Sequence, residues 1–106
     1  MKVSFNKVNN CLFIYPEGEI DECSVTGLRR VVDDSISDCA GFENVVINLS
    51  KVKFMDSTGI GFLIGRYKLA AKYRMRLWVQ EPNLNADKVL SVSGVYALIP
   101  KLKGGK

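Results

Sequence analysis

The sequence predicts an α/β fold: a mixed β-sheet with an N-terminal β-hairpin and helices packed on it. Three observations carry this. Two β-rich runs flanking Asn9-Asn10 open the chain. After residue 40, strand-type and helix-type apolar periodicities alternate. Residues 44–49 form a nearly continuous apolar run, as expected at the centre of a covered sheet. The order is β-β-α-β-α-β-α-β, and the alternation in its second half implies parallel strands joined by right-handed crossovers.

Residues 2–8 alternate, with Val3 and Phe5 against Ser4 and Asn6, and Asn9-Asn10 is a turn signal. Residues 11–16 form the second run, which Pro16 and Gly18 are expected to end. Asp21 to Ser24 offers N-cap chemistry for a first helix over 22–38. Its inward positions are Val25, Leu28, Val32 and Ile36, with Val31 beside them, and Gly41 stops it. The central strand leads into a polar turn and a second helix over about 58–73. Residues 75–80 alternate as a strand. Pro82 and Asn83 open a third helix over 83–93, with Leu84, Ala86, Val89 and Leu90 inward and Gly94 as its C′ residue. Residues 95–100 are expected to form a short last strand ended by Pro100, and 101–106 a frayed basic tail.

At 106 residues the chain is one domain, read as spanning 1–106. No apolar run approaches the roughly 18 residues of a membrane span, and no secretory signal is visible, so the cytoplasm is the expected location. Cys11, Cys23 and Cys39 are odd in number and widely spaced, and histidine is absent. That pattern argues against a zinc site and a disulfide framework, and removes the commonest general base. The net charge of +4 is spread over Arg66, Lys68, Lys72, Arg74, Arg76 and the C-terminal lysines. No aromatic-interleaved basic face accompanies it, so direct nucleic-acid binding is not expected, whereas an acidic protein partner is.

The chemistry concentrates in Phe54-Met55-Asp56-Ser57-Thr58-Gly59-Ile60-Gly61, between the central strand and the second helix. Asp, Ser and Thr side chains accept hydrogen bonds from the first backbone N–H groups of a helix, and the dipole there favours an anion. At about 100° per residue, Leu63, Ile64, Tyr67, Ala70 and Ala71 share a core direction, while Phe62, Leu69 and Tyr73 form a second apolar stripe nearly opposite, with Thr58 and Arg66 close by. Such a stripe requires cover, either by another element such as the tail or by a partner. Gly61 and Gly65, on the flank, suggest close approach of another backbone.

This run, with Leu63-Ile64-Gly65-Arg66-Tyr67-Lys68 after it, resembles the motif of the STAS domain, and most closely the anti-sigma factor antagonists of the sporulation and general-stress type. Gly18-Glu19-Ile20-Asp21, Val46-Ile47-Asn48-Leu49-Ser50 and Val92-Ser93-Gly94-Val95 extend the resemblance over nearly the whole chain. Glu22-Cys23 and Arg74-Met75 depart from the usual family residues.

The resemblance implies a phosphorylation site at Ser57. It implies a partner surface drawn from Asp21, Asp56, Ser57, Thr58, Gly59, Gly61, Phe62, Arg66 and Leu69. The partners it implies are an anti-sigma factor serine kinase, which binds the ATP, and a PP2C-like serine phosphatase. The chain itself is then a non-enzyme without cofactor or metal. The alternative is a STAS adaptor subunit of a larger assembly without a phosphorylation cycle.

Overall fold

The computed structural model describes residues 1–103. The elements are β1 (Lys2–Val8), β2 (Cys11–Ile20), α1 (Val25–Asp38), β3 (Asn44–Asn48), β4 (Val52–Met55), α2 (Thr58–Lys72), β5 (Arg76–Gln80), α3 (Leu84–Ser93), a 3-10 turn (Val95–Ala97) and β6 (Lys101–Leu102). The sheet order is β1-β2-β3-β5-β6, with β4 paired to β2 off this path. Among the described residues only the β1–β2 pair is antiparallel, and the other strand pairs are parallel.

The opening hairpin closes through Asn9 and Asn10, at φ 50° and 64°. A two-residue loop with both φ positive matches the right-handed twist of the strands it joins. From β2 to β3 to β5 to β6 each step crosses the sheet in one direction, so right-handed crossovers put α1, α2 and α3 on one face. Leu12, Ile14, Val45, Ile47, Leu77 and Val79 point into the core under them. The alternate positions, among them Phe13, Val46 and Trp78, share a row on the other face.

Four expectations are corrected. β2 does not end at Pro16 but runs to Ile20. Its pairing with β3 stops at Ile14 and that with β4 starts at Gly18, so on this edge no partner awaits the N–H that proline lacks. Second, β4 is an additional strand in what reads as loop. Its burial runs Val52 buried, Lys53 and Phe54 exposed, Met55 buried, which breaks the alternation that marks a strand. Third, residues 95–97 are helical, with Val95 and Ile99 buried one turn apart. The last strand comes after Pro100: Val79 N–H donates to the Pro100 carbonyl (3.1 Å), and Lys101 pairs with Val79. The basic tail is therefore ordered through Leu102, while residues 104–106 lie outside the described residues. Fourth, Leu84 does not face inward but is 90% exposed, because α3 seats only Ala86 and Leu90 in the core.

Asp87 anchors this C-terminal segment. Its Oδ1 accepts from Tyr96 Oη at 2.6 Å and from Lys101 Nζ at 3.0 Å. The Tyr96 hydroxyl and then the Lys101 ammonium hold its carboxyl below the usual carboxylate range. A depressed carboxyl contributes stability above its unfolded value and loses it as pH falls through its folded value. Acidification below about pH 4 should therefore lower the hydrogen-exchange protection factors at Lys101–Leu102, taken against the intrinsic rate at each pH. Asp87→Asn should remove that pH dependence.

Candidate functional site

Ser57 stands at the head of α2, at the C-terminal end of the parallel strands. Its side chain is exposed and makes no capping hydrogen bond. The capping expected of the turn is done by Asp56 alone: its Oδ1 accepts from Thr58 N–H (2.9 Å) and its carbonyl from Gly59 N–H (3.0 Å). Asp56 N–H in turn donates to the Ile20 carbonyl (3.3 Å), which ties the turn to the end of β2. Asp21 follows directly. Its Oδ1 accepts from Cys23 and Ser24 N–H, both at 3.0 Å, in the turn that leads into α1. The Ser57 and Asp21 loops thus lie side by side.

Gly59 is buried, and a Cβ there would come within 2.5 Å of Met55 Cγ. Met55 is itself fully buried. Gly59→Ala should lower unfolding free energy by about 1–3 kcal/mol through overpacking, read by chemical denaturation. Gly61 is different: among the described residues an added Cβ meets nothing within 4 Å, and the same holds at Gly65.

The second apolar stripe is covered inside the chain. Phe62 is 1% exposed and Arg66 6%. Neither offers the free partner surface expected of it. The buried set of α2 is Gly59, Phe62, Leu63, Arg66 and Ala70, whose direction lies about midway between the two apolar stripes. The stripes are therefore two edges of one wide buried face. Among the described residues the cover is α1.

Arg66 Nε lies 2.7 Å from Asp33 Oδ1 of α1, as an ion pair whose N–H is not aimed along the contact. Its Nη1 donates to the Phe62 carbonyl at 3.3 Å, and the guanidinium stacks on the Phe62 ring. Burial pulls Arg66 below its ordinary pKa, and Asp33 opposes that. Further along, the Tyr73 hydroxyl meets Ser37 of α1 at 3.2 Å. Leu69, in the same stripe, is half-buried against the core.

The open apolar surface lies on the other side of α2. A groove of about 410 Å³ runs between α2 and α3, lined by Ser57, Ile60, Asn85, Lys88, Val89 and Val92 among others. Val92 is 80% exposed. None of the α3 residues was expected here. Their sequence signal is an excess of apolar positions: Leu84, Val89 and Val92 lie outside the buried pair Ala86 and Leu90. Two asparagines fix α3 against the Ser57 turn. Asn85 Oδ1 accepts from Met55 N–H at 2.8 Å, and Asn83 Nδ2 donates to the Val52 and Lys53 carbonyls. These side chains occupy the free edge of β4 in place of a strand.

A hydroxyl free of local bonds, beside an apolar groove, on a turn locked by its neighbours, suits recognition and modification. Among the described residues there is no cluster of three or more His, Cys, Asp or Glu side chains, and no helix is long and apolar enough to cross a membrane. The STAS domain family model matches residues 2–103. The chain belongs to the STAS domain family. Curated relatives of this STAS chain include an anti-sigma F factor antagonist of Paenibacillus polymyxa, 28% identical over 102 residues, covering 94% of this chain and 85% of the relative. An anti-sigma-B factor antagonist of Staphylococcus aureus is 27% identical over 82 residues, covering 77% and 74%. Among solved structures, the anti-sigma factor antagonist SpoIIAA in its unphosphorylated form superposes with a TM-score of 0.80 at 21% identity, covering 99% of this chain and 90% of that one. SpoIIAA, described as a Bacillus cell fate determinant, was also solved in its phosphorylated form; that structure superposes at 0.70. These likenesses show the STAS fold.

Proposed function

We propose that this STAS chain is an anti-sigma factor antagonist, switched by phosphorylation at Ser57. The unmodified chain binds an anti-sigma factor that is a serine kinase, and so frees a sigma factor. The kinase then transfers phosphate from its own ATP. The Ser57 Oγ–P bond forms, the bridging P–O bond to the γ-phosphate breaks, ADP leaves and the hydroxyl proton passes to the kinase or to water. A PP2C-like phosphatase restores the hydroxyl. The chain is substrate and ligand rather than catalyst, needs no cofactor, and acts in the cytoplasm.

The observation that carries this reading is the state of Ser57: exposed, unbonded and dispensable as a cap, because Asp56 does the capping. The names of the curated relatives support the role, and SpoIIAA's two solved forms support a fold that tolerates phosphate. The partner surface is assigned to Ser57, Gly61 and the exposed parts of the neighbouring Asp21 and Asp56 loops. Thr58 is half-buried beside them, and the phosphate is assigned to Ser57.

The test is intact-protein mass after incubation with ATP and the purified anti-sigma F factor of Paenibacillus polymyxa, the counterpart implied by that relative's name. Wild type and Thr58→Ala should each gain one phosphate and Ser57→Ala none. Phosphate on Ser57→Ala would move the site elsewhere. Tight binding with no transfer to wild type would favour the adaptor reading.

A further inference from the structure

We propose that Lys88 is the built-in counter-ion of a phosphoryl group on Ser57, and that their pairing closes the apolar groove between α2 and α3. The inference rests on Ser57 being the modified residue. It starts from the donors at the head of α2, which are already engaged. Thr58 N–H goes to the Asp56 carboxylate, Gly59 N–H to the Asp56 carbonyl, and Ile60 N–H to the Ser57 carbonyl (3.0 Å). A new dianion therefore finds three of the first N–H groups occupied, and the Asp56 carboxylate beside it repels it. It needs a cation from another element.

Lys88 is the one ionisable side chain lining the groove that Ser57 also lines. Among the described residues it has no ion-pair partner, whereas Lys51, Arg66 and Lys101 each have one. Its flexible four-carbon stem lets the ammonium reach across and bond the phosphoryl oxygens. In doing so the stem lies over the α3 wall of the groove, where Val89 is half-buried and Val92 is open to water. Modification then does two things with one contact. It places charge where a partner was fitted to a hydroxyl, and it covers open apolar surface next to that contact.

The experiment uses the full chain with phosphoserine installed at position 57 by genetic encoding, so that no kinase is involved. Phosphorus NMR follows the phosphate through its second ionisation in the Lys88 wild type, in Lys88→Met and in Lys88→Arg. The Lys88→Met midpoint is expected to rise by about 0.5 pH unit or more, with Lys88→Arg close to wild type. The Val89 and Val92 methyl signals should shift with the phosphate titration in wild type and stay still in Lys88→Met. Equal midpoints in wild type and Lys88→Met would overturn the proposal. That outcome leaves the kinase test on Ser57 untouched, and a negative kinase test leaves this one untouched.

Discussion

Replacing Phe62 with alanine should lower the unfolding free energy by about 3–5 kcal/mol, making it the most damaging single truncation in α2. Phe62 is among the largest fully buried side chains in the domain. It belongs to the buried core and carries the Arg66 guanidinium on its face. Truncation leaves a cavity, and it also unseats a cation that is 6% exposed and has Asp33 as its acidic partner. For a domain of this size the melting temperature should fall by roughly 10–30 °C. Leu69→Ala, from the same stripe but only half-buried, should lose much less. If instead Phe62→Ala kept its melting temperature and lost only partner binding, the ring would be a docking anchor and the packing described for it would be wrong.

The second large effect is on binding. A phosphate on Ser57 adds about −1.5 to −2 charges at pH 7. The turn carrying it is held by Asp56, Ile20 and Asn85, so the backbone has little reason to move. The change falls on the partner, whose surface must desolvate a dianion where it met a hydroxyl. A penalty on the order of 3–4 kcal/mol corresponds to weakening by a few hundredfold. Titration calorimetry of the purified kinase against unmodified and phosphorylated chain should show this ratio, with both forms melting within a few degrees of each other. Weakening of less than about tenfold would mean that the switch lies elsewhere.

The sequence made the order of elements legible where one periodicity dominated. The inward set of α1, Val25, Leu28, Val32 and Ile36, is buried as its spacing requires, and Gly94 adopts φ 80° at the end of α3. It was less informative where an element is buried from two directions. α2 touches both the sheet and α1, so its apolar positions cover more than half its circumference, and angle alone resolves two stripes where there is one broad face. β4 was hidden because its burial does not alternate, and the C-terminal strand because a helical turn intervenes. At the site, the Ser57 turn was legible from Asp56, Ser57 and Thr58. The α3 wall was not, because Lys88 and Val92 join Ser57 only through the fold. Asn83 reads as the residue that opens the third helix and Asn85 carries no signal of its own, although their amides hold β4.

The other face of the sheet has a practical consequence. Trp78 is the only tryptophan. It lies on β5 in the row with Val46 and Phe13, its Nε1–H bonded to Asn44 Oδ1 at 2.9 Å and Arg76 stacked on its ring. The whole thickness of the sheet separates it from Ser57 and the groove. Its emission should report loss of the β3–β5 pairing with full sensitivity and ignore events at the helical face. Intrinsic fluorescence is thus a clean gauge of unfolding in every variant named above, and a blind one for docking or phosphate.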